Sequence, residues 1–97
     1  MKPSEALAQK RDQLGAIVAR YPTTANLRVY GSVLHGKDRD NDELDFLVDA
    51  LPGTTLFDLG GLYADLEELL GVPVSLLTPP EVPVRYRSQV LADARPV

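Results

Sequence analysis

The segment from Glu43 to Asp49 alternates, with Leu47 the one apolar residue on its acidic side. Leu44, Phe46 and Val48 fall on one side; Glu43, Asp45, Leu47 and Asp49 fall on the other. That period fits an extended strand and excludes an amphipathic helix. The strand needs a sheet to pair with, an apolar layer over one face, and some reason to gather acids on the other. Everything else in the chain has to meet those three requirements.

The flanking sequence predicts the partners. Pro3 to Arg20 predicts an amphipathic helix, with Leu7, Leu14, Ile17, Val18 and Tyr21 at helical spacing, Ser4 as its cap, and Pro22 beyond its end. Asn26 to Tyr30 predicts a short strand that directs Leu27 and Val29 one way and Arg28 and Tyr30 the other. Gly31-Ser32 breaks it, Val33 to His35 suits a single helical turn, and Lys37 to Asp42 is an all-polar loop. Beyond the strand at 43–49, Thr54 or Thr55 caps a helix running to about Leu70. Its stripe is Leu56, Leu62, Leu66, Leu69 and Leu70, and Gly71 stands at its C-terminus. Gly60-Gly61 weakens the middle of that helix by roughly 1 kcal/mol per glycine relative to alanine. Val72 to Leu77 predicts a third strand, and Val84 to Ala94 a last helix with Val84, Val90 and Leu91 as its apolar contacts.

This order gives an α+β fold of two layers: a small mixed sheet with helices on one face, formed by a single domain over residues 1–97. The face bearing Glu43 and Asp45 is expected to receive little cover. An open sheet edge, together with Gly60-Gly61, offers a route to self-association into a homo-oligomer.

Composition removes several classes. The chain has no cysteine, so disulfides, thiolate metal sites and thiol catalysis are excluded. No apolar run approaches the ~18 residues of a membrane span, and the charged N-terminus lacks a signal core, which points to the cytoplasm. The net charge of −4 argues against gripping a nucleic-acid polymer by its phosphates.

The chemistry concentrates between Gly31 and Asp49. Glu43 and Asp45, two residues apart on a strand, have Cα atoms ~6.6 Å apart on one face. Two hard oxygen donors at that spacing suit Mg2+, which keeps several waters and takes further ligands from phosphate. Gly31 and Ser32 supply close backbone, free N–H groups and a hydroxyl, the groups that cradle a phosphate. A solvated strand face is the plain alternative for the acids. Two adjacent carboxylates repel, however, and a purely structural strand would more often pair them with lysine. Asp38, Asp40, Asp42 and Asp49 have the spacing of a calcium loop, but the required glycine is Glu43 and the second half is strand-like.

The run Gly31-Ser32-Val33-Leu34-His35-Gly36, followed by Asp42-Glu43-Leu44-Asp45-Phe46-Leu47-Val48, resembles the signature of the DNA polymerase β-like nucleotidyltransferase superfamily. Length and element order resemble its minimal nucleotidyltransferases, which include antitoxins of the MntA type. The resemblance implies a nucleoside triphosphate substrate, ATP by preference, with Gly31, Ser32, Gly36 and Lys37 toward the phosphates and Glu43 and Asp45 as catalytic ligands of Mg2+. It further implies a partner with a helical HEPN domain, the toxin of a toxin–antitoxin pair. That partner would be neutralised by adenylyl transfer to a tyrosine hydroxyl or by binding alone.

Three positions depart from the family pattern. Glu43 stands where the first aspartate is usual, and Asp42 where a serine is usual. Val74-Ser75-Leu76 stands where the third carboxylate is usual, so Ser75 replaces an anionic ligand and base. Loss of a general base costs about 10²–10⁴ in rate. A binding module that has kept the fold and lost turnover is therefore the alternative to an enzyme. Asp49 has the right parity to substitute but lies too far along the strand.

Overall fold

A computed structural model describes residues 1–97. The elements are α1 (Pro3–Val18), β1 (Thr24–Tyr30), a short 3-10 turn (Gly31–His35), β2 (Leu44–Ala50), α2 (Leu56–Leu70), β3 (Val74–Leu77), a second 3-10 turn (Pro79–Glu81), α3 (Val84–Asp93) and β4 (Arg95–Pro96). The sheet order is β3-β2-β1-β4. β2 runs antiparallel to β1 and parallel to β3. A parallel neighbour requires a crossover, and α2 provides it.

The expected α+β fold with a small mixed sheet is the one observed. Leu44, Phe46 and Val48 are fully buried beneath Ala6, Leu7, Leu14 and Ile17 of α1 and Leu62, Leu66 and Leu70 of α2. Burying this apolar layer is the main favourable term for the fold. Local chemistry sets the helix limits. Thr55 accepts from the Asp58 N–H while Asp58 accepts from the Thr55 N–H, a reciprocal cap. Gly71, at φ 67°, ends α2 in the left-handed conformation.

Several expectations are corrected. Ser4 does not cap α1. Its N–H instead donates at 2.8 Å to Asp38, a buried carboxylate from the polar loop. That hydrogen bond holds the Asp38 carboxyl below its ordinary range. Leu56 leaves the α2 stripe and is 85% exposed, as is Val84 of α3 at 78%. In both cases the residue is the first of its helix. Gly61 is occupied within the chain: a Cβ there would meet the Tyr21 hydroxyl at 2.8 Å, and that hydroxyl donates to Asp65.

The second sheet face also receives more cover than expected. Leu47, Val82 and Ala94 form a smaller buried cluster with Tyr30, Leu77 and Val90 packed against it. The chain from Val82 to Ala94 therefore lies over part of the face that carries Asp45. β4, two residues long, then pairs with β1 through Arg28–Pro96 and Val29–Arg95. No helix is long and apolar enough to cross a membrane.

Candidate active site

Register brings three positions into one row across the sheet. Tyr30 of β1 pairs with Asp45 of β2, and Asp45 pairs with Ser75 of β3. The row lies on the face opposite the main core, because Leu44 and Phe46 on either side of Asp45 point into that core.

Gly31 follows Tyr30 directly and adopts φ +83°. L-residues rarely tolerate that conformation. A Cβ at this position would lie 2.5 Å from Asp45 Oδ2, an impossible approach. The glycine turn and the second acid are thus in contact, as the sequence spacing predicts. Glu43 lies one residue before β2 rather than inside it. Its charge nevertheless acts on Asp45.

Asp45 is pushed up to about 6, first by burial, then by the negative charges of Glu43 and Asp42. No cation within the chain offsets them: the ion pairs of this protein engage Asp40, Asp49, Asp65 and Asp93. A half-buried carboxylate surrounded by negative charge suits a divalent cation, which would relieve both the repulsion and the desolvation. The donor set comprises two carboxylates, and no third metal-binding group joins them. Mg2+ tolerates such a set, since water and phosphate complete its shell.

The remaining expected residues are placed with different closeness. Ser75 stands beside Asp45 in register. Burial first, then the charges of Asp45 and Glu43, push the Tyr30 hydroxyl up, and the nearby Ser75 hydroxyl opposes them. Ser32 lies in the first 3-10 turn, and its carbonyl accepts from the Lys37 N–H at 3.1 Å. Gly36, at φ 65°, closes that turn. Lys37 is exposed, so its backbone anchors the turn while its side chain is free toward solvent.

The rival uses of the other acids are resolved by their contacts. Asp49 binds Arg28 at 2.7 Å and Asn26 at 3.2 Å, which removes it as a substitute third ligand. Asp38 accepts from the Ser4 N–H at the start of α1, Asp40 meets the N-terminal amine at 3.5 Å, and Asp42 accepts from the Arg39 N–H. The four calcium-loop candidates are therefore dispersed among separate structural tasks.

Tyr30 was not singled out by motif, although two signals mark it: it shares the parity of Arg28, and it directly precedes Gly31. Tyr86 of α3 is 47% exposed.

A protein of Methanocaldococcus jannaschii, provisionally named a protein adenylyltransferase, is 30% identical over 66 residues, covering 68% of this chain and 71% of its own. The chain belongs to the minimal nucleotidyltransferase family. A solved structure provisionally described as a minimal nucleotidyltransferase superposes with a TM-score of 0.82 at 37% identity, covering 97% of this chain and 95% of that one. A toxin–antitoxin structure with AMP-PNP has a TM-score of 0.71 at 17% identity, covering 88% of this chain and 69% of the other. A mutant of the toxin–antitoxin MntA-HpeT has a TM-score of 0.68 at 16% identity, covering 87% and 68%. These last two likenesses are of fold. No protein-family model matches the chain. Among minimal nucleotidyltransferases, this one presents a serine beside its second acid.

Proposed function

We propose that this chain transfers a nucleotidyl group, adenylyl by preference, from a Mg2+-bound nucleoside triphosphate to a hydroxyl on a partner protein. The observation that carries the reading is the contact between Gly31 and Asp45. It sets a phosphate-binding turn directly against a carboxylate with no cation of its own. Gly31 and Ser32 hold the terminal phosphates, with Gly36 shaping the turn and Lys37 attracting the polyanion from solvent. Glu43 and Asp45 hold the metal, which when bound neutralises charge on the transferring phosphoryl group.

In the transfer, the acceptor oxygen forms a bond to the α-phosphorus, the bond to the bridging oxygen breaks, and pyrophosphate leaves. The acceptor proton passes to solvent, because Ser75 is no base at neutral pH. Positioning and electrostatics carry most of the acceleration in such reactions. The relative provisionally named a protein adenylyltransferase supports a protein acceptor; a HEPN-domain toxin as that acceptor and a cytoplasmic setting are part of the proposal.

Ser75 at the register position beside Asp45 favours a second reading: a module that neutralises its partner by binding and turns over slowly or not at all. One assay separates the two. The chain is incubated with α-labelled ATP, Mg2+ and a candidate HEPN-domain partner protein. Label on that protein, reduced at least about 10²-fold in Asp45→Asn, supports transfer. A stable complex that carries no label supports the module, and Ser75→Asp should then raise labelling if only the third acid is missing.

A further inference from the structure

A cleft of about 370 Å³ opens beside Gly31 on the Asp45 face of the sheet. That volume falls within the range of small-molecule sites, about 300–1,000 Å³. Tyr30 forms one wall; Tyr86 and Gln89 of α3 form another. Leu77, Val82 and Val90, from the smaller apolar cluster, line its deeper part. The cleft thus begins where the glycine turn ends, and its chemistry differs from that of the turn. It offers two phenol rings, aliphatic surface and one exposed primary amide.

Charge decides which end of a nucleotide suits it. Asp93 also lines the cleft, paired only loosely with His35 at 3.9 Å. An anion is disfavoured there, whereas a flat, uncharged heteroaromatic ring meets apolar walls, a ring to stack on and an amide that both donates and accepts. We propose that the cleft receives the nucleobase of the triphosphate, with Tyr86 stacking on it and Gln89 reading its polar edge. This rests on the preceding reading, that Gly31 and Ser32 hold the phosphates, and makes α3 the element that selects the nucleotide.

The test is calorimetric titration of the full chain, with Mg2+, using ATP and, separately, inorganic tripolyphosphate, which has phosphates and no base. The proteins are wild type, Tyr86→Ala and Gln89→Ala. Both side chains are exposed, and circular dichroism checks that the fold is kept. The expected result is tighter binding of ATP than of tripolyphosphate by wild type. Tyr86→Ala should weaken ATP about tenfold, in line with the loss of one stacking partner, and Gln89→Ala should weaken it less. Neither variant should change tripolyphosphate binding. Variants that leave ATP unchanged, or weaken both ligands alike, overturn the assignment. Wild type that binds the two ligands equally leaves the phosphate site standing and overturns only the base cleft. Wild type that binds neither overturns the phosphate site and the cleft together.

Discussion

The two faces of β2 do different work with alternate residues of one strand. Leu44, Phe46 and Val48 enter a closed apolar layer between sheet and helices. Asp45 and Asp49 enter a half-open face where each acid has a different fate. Asp49 is bound by Arg28 and Asn26, while Asp45 has only Glu43 and Asp42 for charged company. Two aspartates four residues apart thus differ in whether the chain has answered their charge. An answered charge is structure; an unanswered one beside a glycine turn is what the proposed function rests on. The comparison also shows why the strand tolerates the second state: the stability comes from the opposite face.

That division can be broken most severely from the core side. Phe46→Ala should remove about 3–5 kcal/mol, much of the stability of a domain this size. Chemical denaturation should show a large fall in midpoint, or a chain already unfolded. Retention of near wild-type stability would mean that the closed layer is not what holds β2 in place.

Gly31→Ala probes the boundary between the faces. The new methyl meets Asp45 Oδ2 at 2.5 Å, and the backbone sits at φ +83°. Strain of this kind costs on the order of 1–3 kcal/mol. The expected result is a moderate fall in denaturation midpoint, with loss of triphosphate binding even where the fold persists. Unchanged nucleotide binding would show that the turn and the acid do not form one site.

Asp45→Asn sharpens the comparison by its sign. With the folded carboxyl raised to about 6 from 3.8, the native state holds this proton more tightly than the unfolded chain does. The group therefore favours folding at low pH, and that contribution is lost as pH rises from about 4 through 6. At neutral pH and without divalent cation, the charge-removing variant should be more stable than wild type. The gain is on the order of 1 kcal/mol once solvent screening is allowed for, or about 4–8 °C in Tm. At pH 4 the difference should shrink toward zero. A variant at the candidate site that gains stability is the opposite of what Phe46→Ala should do on the same strand. Equal thermal midpoints at neutral pH would show that Asp45 is not strained by its surroundings.

Much of this fold is legible in the sequence because its elements carry a period. β2 and α2 announce themselves by alternation and by a leucine stripe, and the caps Thr55 and Gly71 follow from local chemistry. β4 is not legible: Arg95–Pro96 is two exposed residues with no pattern, paired only because α3 returns the chain to β1. The Ser4–Asp38 contact spans 34 residues, and no local rule anticipates it. For the site, the facing of Gly31 and the acid was legible from spacing, since a turn following one strand abuts the next. The Tyr30–Asp45–Ser75 row was only partly so. Parity places each residue on a face, but register depends on how three strands slide into alignment, which packing decides. The cleft under α3 was illegible, because it depends on how the chain from Val82 to Ala94 packs back over the sheet.

The smallest expected effect tests that lesson at Leu56 and Phe57, where the apolar sequence and the structure part company most. They are 85% and 92% exposed at the start of α2. Neither side chain belongs to either buried cluster. Residues without buried contacts change stability within about ±0.5 kcal/mol when substituted. Phe57→Ser and Leu56→Ser should therefore leave the denaturation midpoint of the isolated chain almost unmoved. Leu62→Ser, one turn and a half further along the same helix and fully buried, should lower it sharply. If Leu56→Ser and Leu62→Ser were equally damaging, the leucine stripe as read from sequence would be right and the exposed start of α2 wrong.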